Sequence, residues 1–330
     1  MHYSISAFFS SLAGKYAAQS FCHSLIASVI MDMALRAWKI DDPSVRQRFR
    51  LTVVLFPVFS FPLYQAINPD RGDLFFRLDA LFDINRWLNM EFWGIPLGLL
   101  FLCVLAITSL IFLFQEMVPI LRHMFEAKTM EHEGILREPD PFMENASRAL
   151  SIERPEIFTV DDDDLLIFSS TGRNPVIYIS TGLTQAFTEA ELQAALAHEL
   201  AHIARSRRPL LLAAFFLRMV LFFNPVALIE FRRVVRNEEK ICDDIAVSLT
   251  RRPDALAEVL KKFYSRRETP EPDDRKKPLF APVPLEEYSY NLQLDGRITR
   301  LGRSLPQSGG PWFYLVVALL IVAAVSYFVV

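Results

Sequence analysis

The sequence predicts a multi-span α-helical membrane protein with an inserted α+β domain, and three observations carry that expectation. Of its 330 residues, 52% are hydrophobic and 28 are Phe, a composition too apolar for an ordinary soluble enzyme. Long uncharged runs recur, clearest at residues 93–115 and at 312–330, each near the ~20 residues that a helix needs to cross hydrocarbon. Between them, residues 119–311 mix short β-branched runs with charged helical stretches and are long enough for a domain.

In chain order, residues 1–118 read as a membrane domain with three candidate spans, at about 17–38, 50–68 and 93–116. The first is interrupted by His23, Asp32 and Arg36, and the second contains Pro57 and Pro62, which should bend it. No short apolar core precedes a small-residue cleavage site, so a removed signal peptide is not expected. The segment 312–330 makes a fourth crossing. The first link carries Arg36, Lys39, Arg46, Arg48 and Arg50, against Arg71, Arg77 and Arg86 among several acids in the second. Basic residues favour the cytoplasmic side, which puts the first link there and, two crossings later, residues 119–311 as well; Arg122 and Lys128 agree.

The inserted domain opens with a charged helical stretch. Three β-branched runs follow, at 157–160, 165–169 and 176–180, separated by turn signals at 161–164 and 171–175. The four consecutive Asp at 161–164 suit a solvated hairpin turn better than a calcium loop. Val176, Ile177, Tyr178, Ile179 and Ser180 run directly into the next helix, and a strand edge placed there could pair with an extended substrate backbone.

That helix carries His198-Glu199-Leu200-Ala201-His202. Thr188-Glu189-Ala190-Glu191 is a capping box that starts it, and Leu192, Leu196, Leu200 and Ile203 form its apolar stripe. At about 100° per residue, His198 and His202 fall on one face and can present ring nitrogens to one metal. Ala194, Ala195, Ala197 and Ala201 leave room there for a metal and a second helix. A zinc ion lowers the pKa of a bound water toward neutrality, and a carboxylate beside it, Glu199, can take the proton during attack on a peptide carbonyl. Further on, Glu239 and Asp243 share a helical face. Alone they read as a solvated charged face; with the histidine pair upstream, Glu239 becomes a third zinc ligand and Asp243 a partner that fixes the tautomer of a liganding imidazole.

The interval 209–231 is apolar, with Arg218 inside it and Asn224-Pro225 near its end. A single crossing would separate His202 from Glu239, and two crossings do not fit, so a re-entrant or surface-lying hairpin broken at Asn224-Pro225 is expected. Phe215, Phe216, Phe222 and Phe223 should face lipid or the other spans. Residues 268–290, rich in Pro and charge, read as an exposed loop, and 294–301 as a helix leading through a Ser-Gly-Gly link to the last span. Net charge is only −3 with no dominant basic tract, which points away from nucleic acid, and the scattered Cys22, Cys103 and Cys242 indicate no disulfide framework.

His198-Glu199-x-x-His202 followed by Glu239-x-x-Cys242-Asp243 resembles the membrane zinc metallopeptidases of the beta-lactam sensor and antirepressor type. Pro175-Val176-x-x-x-Ser180-x-Gly182-Leu183, Asn224-Pro225 and Arg297-Ile298 extend the likeness over roughly residues 150–305. The resemblance implies an α+β gluzincin domain among four spans in a bacterial inner membrane, with one Zn2+ per chain held by His198, His202 and Glu239. It makes Glu199 the general base, Asp243 the support of a ligand, and Arg297 a candidate oxyanion or structural residue. It also implies a protein or peptide substrate; the oligomeric state stays open. The sensors continue into an extracellular penicillin-binding domain whereas this sequence ends at Val330, so antibiotic sensing is not expected. The related prenyl-protein and heat-shock membrane peptidases have a His-Pro before their Arg-Ile, where Ala281-Pro282-Val283-Pro284 stands here, and rank second. A signalling scaffold that keeps the metal without chemistry is the rival from another class; it has no need of Glu199. A transporter reading rests only on Asp32 and Arg218.

Overall fold

The computed structural model describes residues 7–118, 135–137, 140–170, 174–206, 210–268, 296–302 and 312–330. The longer helices are α1 (Leu12–Ala37), α2 (Pro43–Ile67), α3 (Leu97–Phe112), α4 (Pro141–Ala149), α5 (Glu189–Ser206), α6 (Leu210–Val220), α7 (Pro225–Thr250), α8 (Pro253–Glu268) and α9 (Trp312–Tyr327). The strands are β1 (Glu91–Phe92), β2 (Ile95–Pro96), β3 (Ile135–Leu136), β4 (Glu156–Val160), β5 (Ile167–Ser170) and β6 (Val176–Ser180). Two compact units emerge, one of Met1–Thr129, Leu210–Asn237 and Gln307–Val330, the other of Met130–Pro209 and Glu238–Pro306. The charged stretch after 119 with Arg122 and Lys128, Arg207 to Pro209, all but the first residue of the loop expected at 268–290, with its Ala281 to Pro284, and the Ser-Gly-Gly link lie outside the described residues.

In the first unit, α1, α2 and α9 pack around Ala27, Met31, Ala34, Phe49, Val53, Ala318 and Val322, where small residues on α1 and α9 permit close approach. Pro43 at the first turn and the Asp42 carboxylate, which accepts from Ser44 and Val45 N–H at 2.7 and 3.2 Å, start α2. The helix continues through Pro57 and Pro62. By length and composition α1, α2 and the stretch Leu97–Gln115 can cross a membrane. The third begins four residues later than the run from Trp93 suggested, because Trp93 and Gly94 adopt positive φ (52° and 77°) in the β1–β2 turn and Pro96 precedes the first turn. The apolar C-terminal segment is helical over 16 residues, about 24 Å, shorter than a ~30 Å hydrocarbon core. Beyond it, Val329 bridges to Phe82, and buried Arg71 donates to the carbonyls of Ser326, Tyr327 and Val329 at 2.6–3.1 Å. Helix-end carbonyls without intrahelical partners thus find donors in a side chain.

The break expected at Asn224-Pro225 is present: α6 ends at Val220, and Asn224 caps α7, its Oδ1 accepting from Val226 and Ala227 N–H at 3.0 and 3.3 Å. The second arm does not end near 231, however, since the same helix runs on to Thr250. Phe216 and Phe222 are exposed, whereas Phe215 meets Phe231 and Phe223 meets Tyr16. Glu230, with its side chain 1% exposed, is matched by Arg50 at 3.1 Å, Arg233 at 2.7 Å and the Ser28 hydroxyl at 2.8 Å. Asp32 pairs with Arg50 and Arg233. A neutral four-charge network therefore joins α1, α2 and α7, as burial of ions requires. Arg218 donates to the Leu221 carbonyl at 2.9 Å and lies over the Phe112 ring. Asp32 and Arg218, the basis of a transport reading, are thus engaged in packing.

In the second unit the sheet order is β3-β4-β6-β5, with β4 and β6 parallel and the other pairs antiparallel. Strand alternation sends Ile157, Ile177 and Ile179 into a core with Met143, Leu196, Leu200 and Ile203. It sends Phe158, Tyr178 and Phe168 to the other face, where they stack at 5.9 and 5.0 Å. Two expectations are corrected here. Asp161 to Asp164 do not close a hairpin, because β6 lies between β4 and β5; the connection instead clips onto the end of β6, with Gly182 N–H donating to Asp162 O at 2.8 Å. A Cβ at Gly182 would stand 2.1 Å from Asp163 O, so only glycine fits. Secondly, Val176 to Ser180 are not an edge: β6 is paired on both sides, and among the described residues the exposed edge on that side is β5. The two-residue β3 had no signal in the sequence.

Candidate metal centre

Helix α5 begins with the reciprocal bonds of its capping box: Thr188 N–H donates to Glu191 at 2.7 Å and Glu191 N–H to Thr188 Oγ1 at 3.4 Å. Lys262 of α8 also reaches Glu191 at 2.7 Å. Burial would raise the Glu191 carboxyl, but the Lys262 and Thr188 bonds outweigh it and hold it low. Ala194, Ala195 and Ala197 pack against Leu256, Val259 and Leu260 of α8, while Leu196, Leu200 and Ile203 face the sheet core. The helix is thereby fixed about its axis, and His198 and His202 are left on one remaining face.

Facing them, α7 presents Glu239 and, one turn later, Asp243. The two Nε2 atoms are 3.1 Å apart, and Glu239 oxygens lie 3.6 Å from that of His198 and 3.5 Å from that of His202. A tetrahedral zinc with N and O ligands near 2.0–2.1 Å separates its ligands by about 3.3 Å, so the donor set fits such an ion. Among the described residues, His198, His202 and Glu239 form a group that could hold it.

The surroundings suit a cation. His198 Nδ1 is 3.2 Å from Asp243 Oδ1, and Asp243, 2% exposed, receives Arg297 Nε and Nη2 at 2.8 and 2.7 Å. Burial works to lower the His198 pKa, but Asp243 and Glu239 outweigh it and lift it to about 9. Burial would raise Asp243 and Glu239; the His198 and Arg297 charges outweigh it and hold both carboxyls down, Asp243 well below the usual carboxylate range. Burial and the neighbouring His198 keep His202 below its ordinary value. Two ionised acids around converging nitrogens form a site that demands positive charge, which a dication would supply in place of the His198 proton.

His202 has its own support, with Cys242 Sγ 3.5 Å from Nδ1. Burial, reinforced by Glu238 and Glu239, pushes that thiol up, so it stays neutral. Glu238 pairs with Arg205, and Arg300 with Asp244, bracing α7 on either side of the ligands. Glu199 accepts a hydrogen bond from Ser169 Oγ on β5 at 2.7 Å.

The structure therefore brings together His198, His202, Glu239, Asp243 and Arg297, with Glu199 adjoining them in the chain. Arg297, a candidate for oxyanion stabilisation or structure, is engaged by Asp243 and lies 3.3 Å from Glu239, which favours the structural role. Sequence reasoning missed Ser169 and the contact of Cys242 with His202; the motif Glu239-x-x-Cys242-Asp243 could have signalled only the latter. Asp243→Asn should weaken zinc affinity about 10–100-fold, read by competition with a chromophoric chelator; unchanged affinity would reduce Asp243 to a packing role.

Residues 97–257 match the family described as BlaR1 peptidase M56. Similar curated proteins include two named "Protease HtpX homolog" from Streptococcus pyogenes. That of serotype M6 is 26% identical over 151 residues, 43% of this chain and 49% of the relative. That of serotype M5 is 27% identical over 161 residues, 48% of each. The chain thus spans about half the length of the curated relatives it matches. The motifs, the apolar helices and the match agree: residues 97–257 are similar to the BlaR1 peptidase M56 family, and helices long and apolar enough to cross a membrane accompany them.

Proposed function

We propose that this chain is an integral-membrane zinc endopeptidase that hydrolyses peptide bonds of a cytosolic or membrane protein, itself included, in regulated proteolysis or signalling. The observation that carries the reading is the convergence of His198 Nε2, His202 Nε2 and Glu239 within 3.1–3.6 Å, with Glu199 next in chain to the first ligand. Three protein ligands leave one position open, as hydrolysis needs and a structural zinc does not. Zinc bound there supplies Lewis acidity for water and carbonyl. Glu199 takes the proton of the attacking water and delivers it to the departing amine nitrogen as the C–N bond breaks. Asp243, held by Arg297, orients His198, and Cys242 faces the outer nitrogen of His202. The substrate backbone pairs along β5, the edge strand, rather than β6.

Proteolysis of casein by the detergent-purified chain tests this. Cleavage should disappear with a zinc chelator and return with added Zn2+; cleavage indifferent to chelation would overturn the proposal. The second reading, a membrane-protein quality-control or prenyl-protein-type protease, is favoured by the similarity to proteases named HtpX homolog.

The basic first link supports a metal domain on the cytoplasmic side of a bacterial inner membrane. Single cysteines introduced at Ser206 and Asn85 report this directly in intact cells. An impermeant maleimide should label the second and spare the first; labelling at 206 from outside would reverse the orientation.

A further inference from the structure

Ser169 has no place in the residue set read from the motifs, yet it is the described residue that touches the Glu199 carboxylate. Its position follows from the pleat. Ile167, two residues earlier on the same face of β5, packs into the cores beneath the sheet, and Phe168 is turned to the opposite, exposed face. Pairing of Ser169 with Ile177 of the central strand fixes how far along α5 its hydroxyl falls. It falls on Glu199, with Oγ donating to Oε2 at 2.7 Å. No other side chain of β5 makes such a contact among the described residues.

A glutamate side chain has three rotatable bonds, and a base that samples many rotamers spends little time aimed at its water. A charge-assisted bond from a half-buried hydroxyl on a sheet holds one carboxylate oxygen and thereby selects a rotamer. Oε1, which has no hydrogen-bond partner among the described residues, keeps its lone pairs for the proton. The donor also belongs to the edge strand, so a backbone paired along β5 would steady the same strand that steadies Glu199. Occupancy of the edge and alignment of the base are mechanically joined.

We propose that Ser169 is a positioning residue for Glu199, holding Oε2 so that Oε1 is presented to the water. The inference rests on the reading of Glu199 as the base. The test uses the full-length, zinc-loaded chain in detergent and a quenched-fluorescent peptide copied from a casein cleavage site. Ser169→Ala should lower kcat about tenfold or more, with KM and zinc stoichiometry unchanged, and Ser169→Thr should recover most of the loss. In a Glu199→Gln background, Ser169→Ala should cost nothing further. Independently of turnover, infrared difference spectra of metal-free Ser169 and Ser169→Ala proteins should show a shifted carboxylate stretch that Glu199→Gln abolishes. An unchanged kcat for Ser169→Ala beside an inactive Glu199→Gln would sink this inference alone. Loss of zinc with the loss of rate, or failure of Thr to restore it, would assign Ser169 to strand packing and also overturn the proposal. Full cleavage by Glu199→Gln would remove the base, and Ser169's role with it.

Discussion

Glu199→Gln should leave zinc in place and remove cleavage. The substitution is close to isosteric, so α5, its capping box and the His198–His202 face are undisturbed, and metal content by mass spectrometry should remain at one ion per chain. What disappears is an acceptor basic enough to take a proton from water. General base catalysis contributes about 10²–10⁴-fold, and the loss in kcat should fall in or beyond that range. The amide still accepts from Ser169 through its oxygen, so the 2.7 Å contact does not by itself rescue the reaction. Retention of zinc together with loss of cleavage separates the enzyme from a contaminant, whose activity would survive unchanged. Equal activity in both proteins would refute the assignment of Glu199. Absence of activity in both, with zinc bound, would favour the signalling scaffold.

His202→Ala should abolish stoichiometric zinc. His202 supplies one corner of the donor triangle, its Nε2 3.1 Å from that of His198 and 3.5 Å from Glu239. Removing it leaves two protein ligands, too few to retain the ion against a chelator. Cys242 is not positioned to take over, because Sγ lies on the Nδ1 side of the ring, away from the nitrogen that faces the donors. The fold should survive, since the replaced ring lies on the metal face while the Leu196, Leu200 and Ile203 stripe is untouched. Circular dichroism should match the parent while zinc analysis reads near zero. Full zinc occupancy would remove His202 from the ligand set.

Much of the site is legible in the sequence because its key pairs are local. His198 and His202, and Glu239 and Asp243, are each one helical turn apart, so helical period alone puts each pair on a common face. The break at Asn224-Pro225 was readable for a similar reason, since a capping amide followed by proline marks a helix start whatever surrounds it. Boundaries of the apolar spans were less legible: hydropathy does not register that Trp93 and Gly94 turn the chain before Leu97, nor that the last apolar helix ends at Tyr327.

What the sequence by itself determined, then, is the local pairing at the candidate centre: which nitrogens and carboxylates share a face, and that apolar helices accompany them. The tertiary structure alone decided which strand is the edge among the described residues, that Ser169 meets Glu199, that Arg297 grips Asp243 and that Asp32 and Glu230 are neutralised by Arg50 and Arg233. The physical reason is range. Periodicity within one helix is written in the spacing of its residues, whereas sheet order and ion pairing join segments tens to hundreds of residues apart, and their register follows from the packing of the whole domain rather than from any one stretch of it.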